Sequence, residues 1–156
     1  MVVSEVSGLV LRPVVHDDAK VLFGWLNAAD RRATSFQTSD HVTWGDHVAW
    51  LGQRIADPQH WHMIALQDGR AVGQVRAERE ETGVVVSIYV DETFRNRGVG
   101  RHMIEAVCRT AQERWPGLPV VAQVRPDNPT SVAFFARNGF SEVQRQADRV
   151  ILQRIP

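Results

Sequence analysis

Between two apolar patterns the chain runs Arg95-Asn96-Arg97-Gly98-Val99-Gly100-Arg101, residue types suited to holding a polyanion. Two glycines spaced Gly-x-Gly let the backbone approach a ligand closely and turn amide N–H groups toward it. An apolar run precedes the loop at residues 84–90, and a helical pattern follows it to about residue 114. The loop therefore lies at a strand-to-helix turn. The helix start adds a positive dipole end there, and Arg95, Arg97 and Arg101 add formal charge. Such a device holds a pyrophosphate. Taken alone, the segment reads equally as a basic turn that only caps a helix.

A second segment, residues 124–140, follows a further apolar run at 120–124. Asn128 is a good N-cap, Pro129 suits the first helical position, and Asn138-Gly139 supply a left-handed stop. With both segments in this order and spacing, the chain resembles the GNAT superfamily of acyl-CoA-dependent N-acyltransferases. The resemblance implies acetyl-CoA as co-substrate and a strand 84–90 that splays from strand 118–124 to admit the pantetheine arm. It implies that backbone groups around Tyr89 and Val90 hold the pantetheine and polarise the thioester. The amides from Asn96 through Arg97, Gly98, Val99 and Gly100 to Arg101 would hold the pyrophosphate beside Arg95. Asn128 would reach the pantetheine across the gap. In many relatives a tyrosine seven residues after that Asn protonates the leaving thiolate. Here the position is Phe135, expected against the cofactor but unable to donate a proton.

Direct transfer needs an amine that loses a proton and a thiolate that benefits from gaining one. Tyr89 is the only tyrosine and adjoins the expected thioester site, which makes it either the substitute acid or a ring packed on the sheet. Candidate bases are Glu78 foremost, with Glu80, Glu81 and His47 beside it; a glutamate in a turn is usually only solvated. His16, His41, His60, His62 and His102 have no metal-ligand spacing and read as surface or partly packed residues, so no metal is expected.

The chain has 156 residues, with Lys+Arg and Asp+Glu both 18. That length suits one domain spanning 1–156, and the zero net charge argues against a general nucleic-acid binder. Cys108, the sole cysteine, excludes an intrachain disulfide and reads as a buried small hydrophobe, with a nucleophile as the alternative. No apolar run reaches the length of a membrane span and the N-terminus lacks a signal pattern, so a cytoplasmic protein without a membrane partner is expected. The quaternary state stays open, a homodimer included.

The remaining patterns predict a strand at 9–14, a helix starting at Asp17 or Asp18, and a second helix capped by Thr43 and ended by Asp57-Pro58. A hairpin follows, 61–66 and 71–77 about Asp68-Gly69, then a turn at 78–83. Two short strands fit 141–154. The sum is an α/β domain of the GNAT type, a mixed sheet of about seven strands flanked by about four helices.

The N-terminal half carries Trp25-Leu26-Asn27, Arg31-Arg32, Thr43-Trp44-x-x-His47, Trp50 and Gly73-Gln74-Val75-Arg76. That series is similar to the acetyltransferases acting on amino-sugar nucleotides in nonulosonic and surface-polysaccharide pathways. It implies that Arg32, His47, Trp50 and Arg76 bind a small-molecule amine such as a UDP-amino sugar, aromatic faces stacking on rings and arginines pairing with the diphosphate. The tryptophans fit a helix core equally well. An amine on a protein N-terminus or another small molecule, and an acyl-CoA-binding module without turnover, are the other readings.

Overall fold

The computed structural model describes residues 2–3, 8–28 and 42–155, with the backbone alone at 2–3. Its strands are β1 (Val2–Val3), β2 (Leu9–Pro13), β3 (His60–Gln67), β4 (Arg70–Glu80), β5 (Gly83–Val90), β6 (Val120–Val124), β7 (Ser141–Arg145) and β8 (Val150–Arg154). The helices are α1 (Ala19–Leu26), α2 (Trp44–Ala56), α3 (Val99–Arg114) and α4 (Pro129–Arg137). The strands form one eight-stranded sheet in the order β1-β2-β3-β4-β5-β6-β8-β7. Every neighbouring pair is antiparallel except β5 with β6. The strand beyond the expected seven is β1, two residues paired on the edge of β2.

Local chemistry sets the element ends. Asp68 and Gly69 both take positive φ, 51° and 83°, the two-residue turn that joins twisted antiparallel strands. Thr43 caps α2 by accepting from the Asp46 N–H, and Asn128 caps α4 by accepting from Ser131 N–H. Asp18 stands at the N-cap position of α1, close to the expected start, but its side chain makes no cap bond. Its carboxylate accepts two bonds from Arg12, both at 2.8 Å, and one from Val15 N–H, tying β2 to the start of the helix. The turn expected at 78–83 is shorter, because Glu78 and Glu80 pair with Val85 and Gly83 and belong to β4.

The sheet buries its two faces differently. On one face α3 packs Met103, Ile104, Val107 and Cys108 onto Val75, Ala77, Val84 and Val86, with Phe135 and Phe140 closing the far end. Truncating a fully buried residue such as Ile104 to Ala would cost about 2–5 kcal/mol. On the other face α1 and α2 place Leu22, Trp25 and Leu51 over Ile64. Cys108 lies within the first core, and burial pushes its thiol up to about 11, so it stays an inert hydrophobe.

Candidate active site

The parallel seam between β5 and β6 runs only from Val84↔Val120 to Val86↔Ala122. Beyond Val86 the strands part, although β6 keeps its pairing with β8 as far as Val124. Backbone alternation decides which groups face the gap. Val84 N–H donates to Pro119 O on the β6 side, whereas Asp91 N–H donates to Val72 O on the β4 side. The backbone groups of Ile88 and Val90 therefore turn into the gap, and those of Tyr89 turn to β4. Of the two backbones expected at the gap, that of Val90 faces it together with Ile88, and that of Tyr89 faces β4. Val90 O already accepts from Arg95 Nε at 2.9 Å.

The gap opens into a cleft of about 430 Å³ lined by Ile88, Tyr89, Val90, Asn96, Gly100, Asn128 and Phe134. At its mouth the loop holds Asn96 at φ 63° and Gly98 at φ 82°, left-handed positions that reverse the direction of successive amides. Gly98 is also the N-cap of α3. Gly100 has a packing reason beside the expected one. A Cβ there would stand 3.0 Å from the Phe134 ring, so glycine admits α4 rather than only a ligand. A second cavity of about 690 Å³ continues past Gly98 and Arg101 to Arg137 and Arg154, a cationic lining the sequence patterns did not single out.

Among the arginines of the loop, Arg95 lies over the Tyr89 ring and Arg97 over Phe94, so both brace the loop as well as charging it. Asn128 lines the cleft with its carboxamide oxygen engaged as the α4 cap. Phe135 is corrected: it is buried in the core 5.1 Å from Phe140, and its neighbour Phe134, one helical step round, lines the cleft.

A separate pocket of about 260 Å³ lies on the α1/α2 face, between Leu22, His47, Trp50, Gln74 and Arg76. It brings together three of the four expected acceptor residues; Arg32 lies outside the described residues. A narrow cavity at Gln74, Arg76, Ser87, Ile88 and Tyr89 joins it to the cleft. Tyr89 is the cross-strand partner of Gln74 and packs 5.7 Å from Trp25. The Trp25 indole N–H donates to Asp91 Oδ2 at 2.9 Å, and Asp91 Oδ1 accepts from Thr93 N–H. That pair ties α1 to the turn that leads into the glycine loop.

Glu78 does not reach this junction. It bonds Arg54 at 2.8 Å and stands four residues along β4 from Gln74, about 13 Å at strand spacing. It is absent from the described pocket linings. His47 lines the pocket, but its Nε2 meets Ala19 O at 3.0 Å, its Nδ1 is sealed from solvent, and burial holds its pKa below the ordinary value.

His60 and His62, read as surface or partly packed, are both buried. They alternate with Trp61 along β3 and share the face of Ile64, a pattern visible in the strand's period of two. Burial, helped by the Arg76 charge, pushes His62 down to about 3 and His60 to about 4. Both are neutral near pH 7. Among the described residues no group of His, Cys, Asp and Glu could hold a metal ion, and no helix is long and apolar enough to cross a membrane.

A mixed sheet split between two parallel strands, with a glycine loop starting the next helix, defines the acyl-CoA N-acyltransferase fold. The chain belongs to the acetyltransferase (GNAT) family, whose model matches residues 25–140. It is 35% identical over 77 residues to the mycothiol acetyltransferase of Clavibacter michiganensis subsp. michiganensis, covering 49% of this chain and 24% of the relative. It is 38% identical over 79 residues to the L-2,4-diaminobutyric acid acetyltransferase of Nocardia farcinica, covering 47% of this chain and 40% of the relative. The chain thus spans well under half the length of these relatives. Its fold matches that of yncA from Salmonella typhimurium, solved with its cofactor acetyl-CoA, at a TM-score of 0.80 and 17% identity, over 96% of this chain and 94% of that one.

Proposed function

We propose that the protein transfers an acetyl group from acetyl-CoA to the amine of a small molecule. The observation that carries this reading is the parting of β5 from β6 after Val86, with the backbones of Ile88 and Val90 left facing the gap. An extended pantetheine arm there would complete the strand pairing that β6 abandons. The Val90 N–H would polarise the thioester carbonyl, and the amides of Asn96 to Arg101 would take the pyrophosphate. The chain's similarity to two acetyltransferases and to a fold solved with acetyl-CoA supports the same donor.

The acceptor enters from the α1/α2 face. Its nitrogen attacks the carbonyl carbon, a C–N bond forms, the C–S bond breaks, and the amine's proton departs through water. Tyr89, between pocket and cleft, is the side chain placed to give a proton to the departing sulfur. The test is thiol release from acetyl-CoA with a panel of amino acids including L-2,4-diaminobutyrate, polyamines, free peptide N-termini and UDP-4-amino-sugars. No release with any amine, alongside tight acetyl-CoA binding, would leave a binding module without turnover.

A nucleotide-linked amino sugar is the finer acceptor to which the N-terminal residue series points, with Arg76 and Trp50 as its contacts. The Arg76 guanidinium lies 5.2 Å from the Trp50 ring centre. At about 260 Å³ the described pocket falls below the usual 300–1,000 Å³ of ligand sites, so the described lining favours a smaller amine.

A further inference from the structure

The acceptor pocket holds one feature that reaches beyond a generic amine site. Gln74 and Arg76 stand two residues apart on β4, on the face opposite the buried Val75 and Ala77. Both side chains line the pocket and the narrow cavity leading to Tyr89. Gln74 Oε1 lies 2.6 Å from His62 Nε2. Two lone pairs cannot face each other at that distance, so Nε2 carries the hydrogen and donates to the carboxamide oxygen. The buried Nδ1 is then the bare nitrogen. With its oxygen held by His62, Gln74 has its amide N–H group left to serve the pocket.

The rest of the described lining is Leu22, Leu26, Val42, His47 and Trp50, with one carboxylate, Asp46 on the first turn of α2. Arg76 supplies a planar fork of N–H donors braced on Trp50. The nearest carboxylate on the same strand face, Glu78, bonds Arg54. His62, directly across the sheet from Arg76, is neutral and adds no charge of its own. Gln74 and Arg76 thus bring N–H donors to one pocket beside the apolar Leu22 and Leu26. We propose that this pair reads a carboxylate on the acceptor, so that the substrate class is a small amino acid with an apolar or short polar body. A carboxylate matches both donors in one plane. His62 acts as a positioning residue that sets which end of the Gln74 amide meets the ligand. The inference rests on the transfer reading above and narrows its acceptor.

The experiment pairs each of a set of free L-amino acids with its carboxamide and its decarboxylated amine. Thiol release from acetyl-CoA is measured, and binding to the CoA-loaded protein is measured separately by calorimetry. A contact of this kind is worth about 10- to 150-fold, so at least one carboxylate should exceed its carboxamide about tenfold or more in kcat/KM and in affinity. Gln74→Glu and Arg76→Gln should each shrink that ratio toward one, and Arg76→Lys should keep part of it. His62→Phe should lower the ratio while Arg76 remains, a change that loss of packing alone would not produce. The wild-type ratios suffice should a variant fold poorly. Equal treatment of carboxylates and carboxamides, or a ratio untouched by Gln74→Glu, overturns the carboxylate site. Release without carboxylate preference removes this inference and keeps the transfer. Carboxylate-selective binding without release does the reverse.

Discussion

The two sides of the β5 strand offer a ligand opposite kinds of group. On the β6 side the groups available are backbone: the freed edges of Ile88 and Val90, and a loop bent by the left-handed Asn96 and Gly98. On the α1/α2 side they are side chains: Gln74, Arg76, Trp50 and a set of buried histidines. A backbone site tolerates changes of side chain provided φ values and close approaches persist, which suits a donor shared across a family. A side-chain site changes with each substitution, which suits an acceptor that differs between members. Tyr89 belongs to both, its ring between pocket and cleft and its backbone locked to β4.

The sharpest test of that division is at the shared residue. Tyr89→Phe should lower kcat by roughly 10²-fold, the low end for a positioned proton donor, with both KM values little changed. An unaltered kcat where chemistry limits the rate would leave Tyr89 as packing only. The next effect lies on the donor side alone. Gly100→Val drives a side chain into Phe134 and should weaken acetyl-CoA binding about tenfold or more, roughly 1.4 kcal/mol, with acceptor affinity preserved. Calorimetry on the folded variant decides it.

A smaller effect should cross between the sides. Trp25→Phe keeps the ring but deletes the indole N–H that holds Asp91. A lost hydrogen bond to a charged acceptor is worth about 1.5–3 kcal/mol when buried and less where Asp91 meets solvent. We expect acetyl-CoA KM to rise several-fold although Trp25 sits on the α1/α2 face; an unchanged value would mean the two sides are independent.

A separate effect concerns stability instead of kinetics. His60 and His62 are held neutral below their ordinary value of about 6.5. Between that value and about 3 to 4 the unfolded chain binds protons that the folded chain refuses. Stability is therefore full above about pH 6.5 and falls as pH drops through the window. The urea midpoint at pH 5 should lie below that at pH 7, and His62→Gln should flatten the difference. A midpoint that rises on acidification would contradict the buried neutral pair.

The same contrast explains what could be read from the residues. The glycine loop, the Asn128 cap and the Asp68-Gly69 turn are local signals, and each appears where its chemistry puts it. The end of the β5–β6 register has no residue signature, because Val84 to Val90 reads as one continuous strand and a single Ser87 after Val86 does not mark a parting. The acceptor side depends on which strand face meets which helix. His60 and His62 were judged by metal spacing, whereas their alternation with Trp61 carried the information. Glu78 seemed a free turn residue until strand pairing brought it to Arg54. Phe135 and Phe134 exchange roles through one step of helix rotation, finer than a motif can specify.

The short β5–β6 seam also makes the molecule its own reporter. Amide protons of Ile88 and Val90 face an opening instead of a neighbouring strand, whereas Val84 is closed by Pro119. In solvent deuterium the first two should exchange early and the third late. Filling the opening with a CoA thioester should slow Ile88 and Val90 while leaving Val84 as it was. The site's occupancy would then be readable as a change in exchange rate at two named positions, with no turnover and no acceptor present.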